Sequence, residues 1–208
     1  MKKIIALTCS LFIGLFLTAC GNAQAPKKAA TTAKPAQQSS ASAQAAAPKK
    51  VLIAYFSYSG NTESVAKMIQ AKTSGDLFKI ETVTPYPQNY DDCVKQASQE
   101  QKENARPKLK AQVNNIADYD VVFIGYPNWW GTMPQALFTF IESHNLSGKT
   151  VIPFVTHEGS SWGRSLDDLG KLCASSKILE GFTVRGKKAA SSQEDVNSWL
   201  DKLNLSGK

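Results

Sequence analysis

From Val51 onward the sequence alternates between short apolar runs and segments of helical spacing, a pattern that few folds accept. Val51-Leu52-Ile53-Ala54-Tyr55-Phe56 is continuously apolar, as a strand covered on both faces must be. Val121 to Ile124 and Val151 to Val155 read the same way, Pro153 being tolerable near a strand start. Leu77 to Ile80 is a shorter strand, and Ile178 to Val184 is a last one weakened by Gly181. Between these runs, apolar residues recur every three or four positions. The sets are Val65, Met68 and Ile69; Tyr90, Cys93, Val94 and Ala97; Leu137, Phe140 and Ile141; and Leu166, Leu169 and Cys173. The second ends before Arg106-Pro107. Ser191 and Glu194 have capping-box spacing ahead of Val196, Trp199, Leu200 and Leu203. Strands that alternate with helices build a parallel sheet covered on both faces. The expected architecture is therefore α/β, a doubly wound five-stranded sheet in the order 2-1-3-4-5. Such sheets bind ligands at the C-terminal ends of their strands, where the order reverses. The loops after strands 1, 3 and 4 should then carry the function.

Those loops hold the least ordinary residues of the chain. After the first strand comes Ser57-Tyr58-Ser59-Gly60-Asn61-Thr62, running straight into a helix. Hydroxyls, an amide and backbone N–H groups at a helix start make an anion cradle, although a Ser-rich helix cap would read the same way. The loop carries no Lys or Arg and no Gly-x-Gly-x-x-Gly, so neither the nucleotide P-loop nor the dinucleotide fingerprint is present. After the third strand comes Tyr126-Pro127-Asn128-Trp129-Trp130-Gly131-Thr132-Met133-Pro134. Two adjacent Trp in a wet loop suit stacking on a flat aromatic ligand, with one of them packed beneath the loop. After the fourth strand, Thr156 to Ser165 carries His157, Glu158, Gly159, Ser160 and Gly163. Its glycines allow backbone to approach a ligand; His157 is either a proton donor or a hydrogen-bonding loop residue.

The first 50 residues belong to a different kind of chain. Lys2 and Lys3 precede Ile4 to Ala19, in which only Thr8, Ser10 and Thr18 are polar. At 16 residues this is short for a membrane span of ~20. It ends in Leu17-Thr18-Ala19-Cys20-Gly21, which resembles the lipobox of bacterial lipoproteins. The resemblance implies a signal peptide over 1–19 and lipidation of Cys20, which becomes the new N-terminus. Two acyl chains anchor stably where one does not. Residues 21 to 50 are Ala, Gln, Ser, Lys, Pro and Thr with almost nothing large and apolar, a flexible tether that would span about 30 Å as a coil. The expected organisation is 1–19 signal peptide, 20–50 lipidated Cys and tether, and 51–208 folded domain, held extracytoplasmically at the cell membrane.

Charge follows the same division. The net charge of +7 comes from 24 basic and 17 acidic residues. Seven of the Lys and none of the acidic residues fall in 1–50, which leaves the domain at 17 against 17. A neutral domain lacks the basic footprint of nucleic-acid binding. Its two Cys, Cys93 and Cys173, could pair in an oxidising compartment, but each sits at an apolar helical position, and two buried thiols are the favoured reading. His144 and His157 are the only His, and neither has a neighbouring metal-ligand pattern.

Taken in order and after the expected strands, the three loops resemble those of the flavodoxin-like family, and the match covers 51 to about 204. The resemblance implies FMN as cofactor. Ser57, Ser59, Gly60, Asn61 and Thr62 would form its phosphate loop. Pro127, Asn128, Trp129, Trp130, Gly131 and Thr132 would form the isoalloxazine loop, as in a bacterial subgroup with Trp-Trp-Gly-Thr-Met-Pro. Glu158, Gly159 and Ser160 would meet the polar edge of the ring. Carrier flavodoxins are typically acidic, and the neutral domain departs from that pattern, which weakens the case for an electrostatically steered soluble carrier. The expected function is electron transfer through FMN at the outer face of the membrane, to a quinone or a redox partner protein. The chain would be an oxidoreductase of the NAD(P)H or quinone reductase type, or an electron carrier. No catalytic residue is singled out. The alternative is a non-enzymatic binding lipoprotein that keeps the fold. A hydrolase reading fails for want of a Lys or carboxylate constellation.

Overall fold

The computed structural model describes residues 49–205. The expected signal peptide, Cys20 and nearly all of the tether lie outside the described residues. The elements run β1 (Val51–Tyr55), α1 (Asn61–Thr73), β2 (Asp76–Lys79), α2 (Tyr90–Lys102), β3 (Val121–Pro127), α3 (Gln135–Glu142), β4 (Thr150–His157), α4 (Ser165–Leu172), β5 (Lys177–Ile178), β6 (Phe182–Arg185), α5 (Gly186–Ala189) and α6 (Gln193–Lys202). The sheet is parallel and follows the order β2-β1-β3-β4-β5, with β6 also pairing β4. This is the doubly wound architecture expected from the alternation.

The continuous apolar runs become central strands because both of their faces are covered. Leu52, Ala54, Val122, Ile124, Val151 and Val155 face one core, shared with Cys93 of α2, Leu137 and Phe140 of α3, and Leu169 of α4. Ile53, Tyr55, Val121, Phe123, Ile152 and Phe154 face the other, shared with Val65 and Ile69 of α1 and Val196, Trp199 and Leu200 of α6. The period-2 alternation of strand side chains produces this division. Each fully buried aliphatic or aromatic side chain contributes about 1.5–3 kcal/mol. Cys93 and Cys173 are both buried free thiols, so the apolar reading of these two positions holds.

Two local expectations are corrected. The last strand is split. Val151 pairs with Ile178 and Phe154 with Phe182, so three residues of the edge chain oppose two of β4, a one-residue bulge. The Val151 carbonyl accepts from Leu179 N–H. Pro153, two residues on, therefore faces the same edge and has no N–H to give. Gly181 fits beside it because any side chain there would run into the Pro153 carbonyl and the Trp162 ring. The Ser191–Glu194 capping box does not form. The short helix α5 precedes it, and its end attracts the hydroxyls. Ser191 donates to the Lys188 carbonyl and Ser192 to that of Ala189, which leaves α6 with no side-chain cap.

Candidate functional site

The three loops meet above the C-terminal ends of β1, β3 and β4 and enclose a cleft of about 580 Å³, within the range of small-molecule sites. Of the residues expected there, Ser59, Asn61, Pro127, Asn128, Trp129, Glu158, Gly159 and Ser160 line it.

At one end, Gly60 sits at φ 89° and turns the chain into α1. A left-handed residue costs a side chain roughly 1–2 kcal/mol, and glycine almost nothing. The first N–H groups of a helix have no partner within it. One of them, on Glu63, donates to Ser57 Oγ at 3.2 Å. Ser57 thus caps the helix rather than lining the cleft. Thr62 is buried, and its hydroxyl meets that of Thr156 at 2.8 Å. This bond joins loop 1 to the end of β4. Gly186, at the start of α5, closes this end. A side chain there would collide with the Glu158 carboxylate and the Asn61 amide.

The other end is aromatic. Trp129 N–H donates to the Thr132 carbonyl at 2.9 Å and Thr132 N–H to the Trp129 carbonyl at 3.1 Å. Between them Trp130 and Gly131 have φ of 50° and 79°, a two-residue turn of the I′ kind. The two tryptophans separate accordingly. Trp129 turns inward, edge-on to Phe56, Tyr58 and Tyr86 at centroid distances of 5.3, 5.8 and 5.1 Å. Trp130 stays 53% exposed and donates its indole N–H to the Val94 carbonyl of α2 at 3.2 Å. Thr132 points away from the cleft, buried, and donates to Asp168 at 2.6 Å.

The loops after β3 and β4 are joined directly. Asn128 N–H donates to the Thr156 carbonyl and its side-chain amide to that of Ser161, both at 2.8 Å. Arg164 N–H donates to the Gly131 carbonyl at 2.8 Å. Gly163 is needed for that approach, since a Cβ there would strike Gly131. The close contact it permits is between the two loops. His157 accepts from Gly159 N–H on Nδ1 at 2.9 Å, which leaves Nε2 to carry the proton of the neutral ring. Burial, and then the Arg185 guanidinium, hold His157 below its ordinary value, against a smaller upward pull from Glu158.

Tyr58, Tyr90, Thr156, His157 and Gly186 were not among the expected cofactor contacts, yet all five line the cleft. Tyr90 occupied an apolar helical position, but it is the first residue of α2 and 71% exposed. Asn89 caps that helix by accepting from Asp92 N–H, and so sets where Tyr90 falls. Among the described residues, no group of three or more His, Cys, Asp or Glu side chains is placed to hold a metal. No helix among them is long and apolar enough to cross a membrane.

A family profile described as Flavodoxin matches residues 50–203. The chain belongs to the flavodoxin family. Among solved structures, this flavodoxin-family chain is 37% identical to a candidate flavoprotein of Bacteroides eggerthii, over 77% of this chain and 99% of that one, with a TM-score of 0.67. A candidate flavoprotein of Bacteroides uniformis is 31% identical over 74% and 99%, also at 0.67. A flavoprotein of Lactobacillus acidophilus, crystallised in complex with FMN, is 19% identical over 72% and 99%, at 0.60; that likeness is one of fold. No curated protein sequence matches the chain.

Proposed function

We propose that this chain binds FMN in the cleft and transfers electrons through it, anchored by a lipidated Cys20 at the outer face of the membrane. A quinone or a protein partner would be the acceptor. The observation that carries the reading is the meeting of a cation-free helix start and an aromatic wall in one cleft of a flavodoxin-family chain. The FMN complex of the Lactobacillus acidophilus protein supports the same ligand.

The residues present fit such a molecule. The start of α1 offers N–H groups and the positive end of its dipole to a phosphate, and Ser59 and Asn61 add polar side chains. At Gly186 the missing Cβ leaves room for the ends of the Glu158 and Asn61 side chains. Trp129, fixed edge-on against three other rings, offers an apolar wall to a flat ring system. Asn128, Glu158, Gly159 and Ser160 add polar groups to the lining. When bound, FMN supplies the one- and two-electron chemistry, and the protein supplies position and electrostatics.

Titration of the flavin-free protein with FMN tests the reading. Stacking on aromatic residues should quench flavin fluorescence, with saturation at micromolar concentration. Unchanged fluorescence there rejects it. Anchoring is tested separately. Cys20→Ala should move the protein from the membrane fraction to the soluble one, and retention after signal cleavage would reject the lipid anchor.

A further inference from the structure

A second hollow of about 290 Å³ opens beside the cleft, between the Trp129–Trp130 corner and α2. The two spaces share Tyr58, Tyr90, Asn128 and Trp129. We infer that this hollow is the binding subsite for a small, uncharged, flat acceptor of the quinone class, held beside the flavin. This rests on the FMN reading and names the acceptor that the reading leaves open.

The hollow has a specific construction. Cys93 and Ala97 lie four residues apart on α2, and so on one face of it. Their small side chains leave the space that a Leu would fill. Trp130 forms the outer wall in an uncomfortable state, with φ 50° and half its surface exposed. A bulky residue at positive φ is a genuine outlier, and such strain persists where surrounding structure over-determines it. Here two bonds to α2 do so. The Trp130 indole donates to the Val94 carbonyl, and the Gln101 amide donates to the Trp130 carbonyl, each at 3.2 Å. They brace the indole across the gap instead of letting it collapse inward.

The lining chooses the ligand. It contains no Lys, Arg, His, Asp or Glu. Burial raises the Cys93 thiol above its ordinary value, which keeps that group neutral as well. A nicotinamide dinucleotide brings phosphates that would find no cation here, and burying an unpaired charge is costly. A one- or two-ring quinone brings none. It presents faces to Tyr90, Trp129 and Trp130 and carbonyl oxygens to the Tyr90 hydroxyl and to the second N–H of the Asn128 amide, whose first is held by the Ser161 carbonyl at 2.8 Å. The Tyr58 hydroxyl is already committed to the Pro87 carbonyl at 2.8 Å.

The test uses the full chain in detergent, with and without FMN, and 1,4-naphthoquinone as probe, its binding followed by ligand-observed NMR. In the FMN-loaded wild type the probe should bind. Ala97→Leu should weaken it at least tenfold while FMN affinity stays within twofold. Unchanged probe affinity overturns the subsite. An equal loss of FMN affinity also overturns it, since the hollow would then be part of the flavin seat. Should Ala97→Leu fail to fold, the wild type decides: the neutral probe should bind at least tenfold more tightly than its 2-sulfonate, and equal binding refutes the assignment. Failure of the FMN reading shows separately, as absence of flavin binding in the same samples.

Discussion

The two ends of the cleft are built by different means. The end at α1 is made largely of backbone: a left-handed Gly60, a helix start and Gly186, against which the ends of Asn61 and Glu158 lie. The end at Trp129 is made of side chains, three rings set edge-on around Trp129 at a two-residue turn. A backbone site depends on dihedral angles and tolerates changes in the side chains around it. A packed aromatic site depends on volume and is sensitive to truncation. The two should therefore fail in different ways, and FMN and riboflavin, which differ by the phosphate alone, distinguish the failures.

The largest effect belongs to the aromatic end. Trp129→Ala removes a ring that touches Phe56, Tyr58 and Tyr86. Large-to-small changes of this kind cost about 3 kcal/mol, here in a residue that is not fully buried. Denaturant midpoints should fall accordingly. FMN and riboflavin should lose affinity by the same factor, about tenfold or more, because both carry the ring. A selective loss of FMN alone would show that Trp129 serves the phosphate end.

Gly60→Ala is the complementary case and a smaller one. Nothing crowds a Cβ at this position, so the cost is conformational, about 1–2 kcal/mol for a left-handed alanine. The strain can relax by turning the α1 start away from the cleft. FMN affinity should then fall by about tenfold, or ~1.4 kcal/mol, with riboflavin affinity nearly unchanged. Isothermal titration with both ligands reads the ratio. Parallel losses would mean that the helix start is not the phosphate seat.

The same contrast accounts for what could be read from sequence. β1, β3 and β4 were legible because a strand buried on both faces has to be apolar throughout, and the three loops because their residue types are rare in such places. The Trp129–Trp130 pair stood out as a candidate, and one of its rings does pack beneath the loop, but Trp130 lines the neighbouring hollow and not the cleft. Tyr90 and Gly186 reach the cleft from α2 and the β6–α5 corner, segments with no signature of their own, and only tertiary placement brings them in. Thr62 and Thr156 pair across 94 positions, a contact no local pattern encodes. The split edge strand had visible causes in Pro153 and Gly181, but the bulge needs the register between them. Ser191 illustrates competition: a sound local signal lost to carbonyls that a neighbouring short helix supplied.

The smallest expected effect lies between the two ends, at His157. Its Nδ1 accepts from Gly159 N–H at 2.9 Å and so holds the turn of the third loop. Its folded value lies below the ordinary 6.5, through burial first and Arg185 second, with Glu158 opposing. The folded state thus binds this proton less readily than the unfolded chain does, and stability rises with pH wherever the unfolded state holds more protons. The contribution is complete above about 6.5 and is lost as pH falls through the folded value. His157→Asn keeps an acceptor for Gly159, its Oδ1 standing where Nδ1 does, but cannot titrate. Urea midpoints of wild type and variant should agree near pH 7.5. They should diverge toward pH 5, the wild type losing more, by less than ~1 kcal/mol because the ring is only partly buried. Taking the difference between the two proteins removes His144 and the carboxylates from the comparison. Parallel pH profiles would mean that the imidazole is not held neutral, and that the third loop depends on backbone alone, as the α1 end does.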